Sequence, residues 1–101
     1  MVKLAFLARF EAKPGKEQAV AELLDAALAM AKKEPDTIEW YALRLSPSTF
    51  GVFDTFNDEE GRQKHITGPI AQALIAKAPE LFASPPSIEP VDLLGVKTAA
   101  A

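Results

Sequence analysis

Two apolar stretches, TIEWYALRL (37–45) and FGVFDTF (50–56), are separated by only four residues, SPST (46–49). Both are rich in β-branched and aromatic residues, and both are too short for a substantial helix, so each reads as a strand. A connection that short has no room for a crossover. The two strands must therefore pair antiparallel, as a hairpin. The rest of the chain has to be arranged around that hairpin.

Before it comes VKLAFLARFEA (2–12). Leu4, Phe6, Ala8 and Phe10 fall on one face at period two, and Ala5, Leu7, Arg9 and Glu11 on the other, which predicts a strand. Pro14-Gly15 is turn chemistry. KEQAVAELLDAALAMAKKE (16–34) then sets Val20, Leu23, Leu24, Ala27, Leu28 and Ala31 at helical spacing. Glu17, Glu22 and Asp25 come early and Lys32 and Lys33 late, as the helix dipole favours, and Pro35 ends it. After the hairpin, Asn57 or Asp58 can cap a helix whose first turn holds Glu59 and Glu60. Gly68-Pro69 interrupts that helix. A second segment carries Ile70, Ala73, Leu74, Ala78 and Leu81, with a kink or early end predicted at Pro79. IEPVDLLGVK (88–97) reads as the last strand, and Pro90 assigns it to an edge or a bulge. TAAA (98–101) reads as a flexible tail.

The order strand, helix, strand, strand, helix, strand predicts one domain over 1–97. Its class is α+β: a ferredoxin-like βαββαβ antiparallel sheet with helices on one face. Both faces of the strands nevertheless carry apolar residues, including Leu7, Phe53, Leu43 and Val91. An uncovered apolar sheet face predicts a homodimer packed through the open face.

Bulk composition narrows the function. The formal net charge is -3, with Lys and Arg scattered, which argues against a nucleic-acid surface. There is no cysteine and one histidine. Disulfides, thiolate nucleophiles and cysteine metal sites are excluded, and with one histidine no transition-metal site built by a single chain is expected. The N-terminal apolar run stops at Arg9 with no cleavage site after it, and no segment is long enough to span a membrane. No membrane partner is expected, and the expected location is the cytoplasm.

The chemistry-bearing residues gather in FGVFDTFNDEEGRQKHITGPI (50–70). His65 is suited to act as a general base or hydrogen-bond donor near neutral pH. It reads equally as a solvated helix residue. Asp54 shares a strand face with Phe50, Val52 and Phe56; buried there it needs a partner, and His65 or Arg9 can supply one. On an edge it would merely cap a backbone group. Phe6, Phe10, Phe56 and Phe82 can line an aromatic cavity or simply fill a core. Trp40 and Tyr41 are adjacent in one strand, so one faces the helices and the other the open side.

The strand with KPGKEQAVAELL, then EPDTIEWYALRL, then FGVFDTFNDEEGRQKHITGPI, is similar over nearly its full length to the antibiotic biosynthesis monooxygenase domain family. That resemblance implies a dimeric α+β barrel with a pocket between sheet and helices, and quinol- or anthrone-type oxygenation without metal or organic cofactor. It implies His65 as proton acceptor, Asp54 orienting it, and Trp40, Phe6, Phe10, Phe56 and Phe82 around a small aromatic ligand. Asp54 and Phe56 stand where the family more often has Glu and Trp. Thr67-Gly68-Pro69 replaces a common Ser-Pro-His. The haem-degrading branch's site positions correspond to Ala8, Phe56 and about Ile75, which argues against haem chemistry. Two other classes of function stay open: a non-catalytic small-molecule binding or stress-response protein, and an isomerase or lyase of the same fold.

Overall fold

A computed structural model describes residues 2–98. The elements run β1 (Leu4–Glu11), α1 (Glu17–Ala31), β2 (Thr37–Arg44), β3 (Thr49–Phe56), α2 (Glu59–Ile66), α3 (Pro69–Leu81) and β4 (Ser87–Asp92). The four strands form one antiparallel sheet in the order β2-β3-β1-β4. This is the ferredoxin-like arrangement. The tail expected over 98–101 lies, past Thr98, outside the described residues.

The hairpin forms as its short connection requires. Leu45 N–H donates to the Thr49 carbonyl at 2.8 Å, and the Ser48 and Thr49 hydroxyls both donate to the Glu11 carboxylate at 2.6 Å. Gly51 sits where β3 crosses close to β1. A Cβ there would lie 2.9 Å from the Ala8 carbonyl oxygen, closer than carbon and oxygen tolerate.

Strand parity sets the core. Phe6, Ala8 and Phe10 of β1 and Phe50, Val52, Asp54 and Phe56 of β3 are buried on the helix side. Val20, Leu24 and Ala27 of α1 and Ile70 and Leu81 of α3 pack onto that layer. Each large apolar side chain buried this way contributes about 1.5–3 kcal/mol relative to exposure. On the other side, Tyr41 is 48% exposed and stacks on Phe53, with Leu45 also exposed.

Most element ends differ from the sequence reading by a residue or two, and the informative differences have physical causes. The third strand, predicted from Phe50, already starts at Thr49. The first helix, predicted to reach Glu34, ends at Ala31. Lys33 and Glu34 N–H donate to the carbonyls of Met30 and Ala31, three residues back, and Pro35 keeps Glu34 out of helical conformation. The last strand, predicted to reach Lys97, ends at Asp92 opposite Leu4, the first residue of β1; Leu93 N–H still donates to the Lys3 carbonyl at 2.8 Å, and beyond it the chain leaves the sheet. Leu94 beyond it is fully solvated. Finally, α3 passes Pro79 and continues to Leu81. Pro79 forgoes its own bond to the Ile75 carbonyl, and Phe82 N–H still closes the last turn on the Ala78 carbonyl at 3.0 Å. The Lys13 and Ala83 N–H groups donate to the Leu81 and Glu11 carbonyls, tying this helix end to β1. Pro90 sits on an edge strand, as predicted.

Candidate functional site

α2 is short and polar, and its placement depends on two local features. Asp58 caps it, its carboxylate accepting from Gly61 N–H at 2.8 Å. Gly61 then allows close approach to the α1–β2 connection; a Cβ there would lie 3.2 Å from that of Asp36. Gly68 and Pro69 end α2 and start α3, Pro69 taking the first helical position. The result presses His65, in the last turn of α2, against β3 and the residues that follow α1.

His65 is buried, its side chain 8% exposed, and each ring nitrogen faces a carboxylate. Nε2 lies 2.7 Å from Asp54 Oδ2 and Nδ1 lies 2.8 Å from Glu34 Oε1. Thr37 Oγ1 donates to the same Glu34 oxygen at 2.8 Å. An imidazole held between two carboxylate oxygens can donate at both nitrogens only as the imidazolium. Burial on its own pushes the His65 pKa down. The hydrogen bond and charge of Asp54, then those of Glu34, outweigh it and raise the pKa above its ordinary 6.5.

A group whose pKa is raised on folding adds stability that is complete below its unfolded value and is lost as pH rises through the folded value. The thermal midpoint is therefore expected to fall as pH is raised from about 6.5 towards 9, before lysine and tyrosine titrate. Melting curves in pH steps check this, and a midpoint that does not fall over that interval would contradict the clamp.

Asp54 is the most enclosed charged group here, with 3% of its side chain exposed. Its Oδ2 is held by His65, and its Oδ1 is buried without a hydrogen-bond partner. Both Asp54 and His65 line a cavity of about 160 Å³ between the sheet and the helices. Phe6, Phe10, Trp40 and Val52 form its sheet wall, and Ile70 and Leu74 of α3 face them. Ile75, 67% exposed, and Ile88 stand at its rim. The walls are apolar except for Asp54, His65 and the indole of Trp40, whose Nε1 is also buried without a partner.

Among the predicted site residues, the structure brings Asp54, His65, Trp40, Phe6 and Phe10 to one cavity. Trp40 faces the helices and Tyr41 the open side. Phe56 and Phe82 are corrections: neither lines the cavity. Phe56 is wholly buried behind it, edge-on to Phe6 with ring centres 5.9 Å apart and 5.3 Å from His65. Phe82 stacks on Phe10 at 5.1 Å in the main core, held there by the bridge of its backbone to Ala12. Arg9, the other partner considered for Asp54, is exposed on the opposite sheet face. Ala8 lines the cavity and Ile75 its rim, and both are apolar. Glu34 was not anticipated. It is 31 residues from His65 in sequence and lies in a connection, and only the proline after it hinted at a fixed backbone there. Among the described residues, no three acidic or histidine side chains converge to hold a metal ion.

Comparison with known proteins identifies relatives by structure. No family model and no curated protein matches the chain. A solved protein of unknown function from Nitrosomonas europaea is 54% identical, with all of this chain and 98% of that one covered and a TM-score of 0.95. The chain belongs to the family of that Nitrosomonas protein. A second protein of that organism, described as a candidate antibiotic biosynthesis monooxygenase, has a TM-score of 0.81 at 14% identity, with 91% of this chain and 90% of that chain covered. One so described from Caulobacter crescentus has a TM-score of 0.76 at 19% identity, covering 93% and 92%. The chain thus has the antibiotic biosynthesis monooxygenase-like fold that its sequence resemblance implied.

Proposed function

We propose that the protein is a cofactor-independent monooxygenase of a small electron-rich aromatic, a single-ring hydroquinone, with Asp54 as proton acceptor. One observation carries the reading: a carboxylate oxygen, Asp54 Oδ1, is buried and unpaired in an otherwise apolar cavity. Leaving it unpaired is costly, and a ligand hydroxyl would relieve that cost. The roles of the two residues are the reverse of those the sequence suggested. His65 donates at both nitrogens and has no lone pair to offer, so it orients and charges Asp54. The cavity volume is close to what one aromatic ring occupies, which favours a hydroquinone over a three-ring anthrone. The names given to the two structural neighbours support the reaction class.

The chemistry asks little of the protein. Loss of a hydroxyl proton to Asp54 makes the ring electron-rich enough to pass an electron to O2. Recombination puts oxygen on a ring carbon. One oxygen atom then stays on carbon, the other leaves as water, and the substrate supplies both hydrogens, so no external reductant is consumed. Phe6, Phe10 and Trp40 would hold the ring, and a bound ring would displace water from the apolar walls around Asp54. The test is oxygen uptake by metal-stripped protein across a panel of substituted hydroquinones. Uptake well above autoxidation supports the reading. Binding without uptake would favour a binding protein, and anaerobic turnover an isomerase or lyase.

The reading includes a homodimer through the open sheet face, supported by Leu7, Leu43, Phe53 and Tyr41 on it. Phe53→Lys places a charge at the centre of that face and is expected to weaken self-association at least about 30-fold. Light scattering checks it: the wild type should have twice the monomer mass at micromolar concentration and the variant the monomer mass. A monomeric wild type would contradict the dimer.

A further inference from the structure

His65 is shared by two concavities. On one side is the apolar cavity with Asp54. On the other is a groove lined by Lys33, Glu34, Asp36, Thr37 and Lys64. The imidazole is therefore part of the wall between them, and its two nitrogens face opposite ways, Nε2 inward to Asp54 and Nδ1 outward to Glu34. Exposure rises along the row: the Asp54 side chain is 3% exposed, that of His65 8% and that of Glu34 23%.

We propose that Asp54, His65 and Glu34 form a proton relay through the cavity wall, with Glu34 as the positioning residue at its solvent end. A ligand O–H bond breaks and a proton joins Asp54 Oδ1. Neutralising Asp54 removes the inner charge that held His65 as imidazolium. The Nδ1–H bond breaks and that proton passes to Glu34 Oε1 and on to water. Nε2 keeps its proton and its hydrogen bond to Oδ2. The net change is a ligand anion in the cavity, a neutral Asp54–His65 pair in place of the ion pair, and one proton delivered to solvent on the Glu34 side.

The other groups around His65 do not supply this path. Thr37 Oγ1 lies 3.4 Å from Nδ1 but is spent on Glu34. Lys64, next in sequence, reaches away to Asp36 and Glu60. Arg62, one turn back on α2, is paired with Glu59. Phe56 from β3 packs against the ring and carries no proton.

The relay rests on Asp54 being the cavity's acceptor, but its test needs no substrate, so its failure is distinguishable from failure of the oxygenase reading, which oxygen uptake decides separately. His65 is the only histidine, so its ring signals in nitrogen NMR of the labelled full-length chain are unambiguous. The relay predicts both ring nitrogens protonated at neutral pH, with Nδ1–H exchanging with water at least about tenfold faster than Nε2–H. In Glu34→Gln, Nδ1–H exchange should slow about tenfold and the His65 titration midpoint should drop, with partial recovery in Glu34→Asp. A purely structural Glu34 would leave exchange unchanged. Equal exchange at the two nitrogens in the wild type, which needs no variant, would overturn the relay. So would an unaltered midpoint and exchange rate in Glu34→Gln.

Discussion

Asp54→Asn is expected to lower kcat/KM for hydroquinone oxygenation by about 10²–10⁴-fold, the usual loss when a positioned acid–base group is removed. The substitution is nearly isosteric. The amide oxygen can still accept from His65 Nε2, so β3 and the cavity walls, with the aromatic surface of Phe6, Phe10 and Trp40, stay in place. What is lost is the capacity of the free oxygen to take a proton. Ligand affinity should therefore change much less than turnover, and comparing kcat with KM separates the two. Full activity in Asp54→Asn, with the fold intact by circular dichroism, would remove Asp54 from the chemistry.

Phe56→Ala is expected to cost about 3–5 kcal/mol of stability, the range for deleting a fully buried phenylalanine ring. Phe56 has no exposed surface, meets Phe6 edge-on and touches the His65 ring. Against the 5–15 kcal/mol typical of a domain, that is a large fraction. For a chain of this length it corresponds to a thermal midpoint lowered by more than about 10 °C. The cavity left by the ring would also let His65 tilt, so the pH dependence of stability should flatten along with the loss. Denaturant titration of both proteins measures the first effect, and a loss below about 1 kcal/mol would show that the site collapses around the gap.

Much of this architecture is legible in the chain. The four residues between β2 and β3 dictate an antiparallel pair, and the period-two pattern of Leu4, Phe6, Ala8 and Phe10 picks out the buried face. Asp54 then lands on that face by parity, and a buried carboxylate demands a partner; His65 was one of two named, and burial of one and exposure of Arg9 decides between them. Element ends were less legible. β4 stops where β1 stops, a fact about the partner strand and not about LLGVK. α1 stops early through tight turns at Met30 and Ala31 that leave no residue signature beyond Pro35. That early stop is also why Glu34 escaped notice: only once the helix has ended does its carboxylate swing onto His65. Phe10, Phe56 and Phe82 show the limit of reading aromatics. All three are core-spaced, and which one meets the cavity depends on how far the helices stand off the sheet.

The roles of Asp54 and His65 show the same limit. A lone histidine reads as a base because its ordinary pKa suits it to that. Two carboxylates facing its nitrogens change that role, and the second carboxylate comes from a distant part of the chain. On the reading proposed above, the proton-accepting role passes to the aspartate beside it, and the histidine is a charged brace.

The most direct test of the central claim is turnover of a hydroquinone under isotopically heavy dioxygen, with the product examined by mass spectrometry. The account predicts one heavy oxygen atom in the product, the other in water, and no accumulation of hydrogen peroxide. An unlabelled product with hydrogen peroxide released, or product formed at the same rate without oxygen, would contradict it.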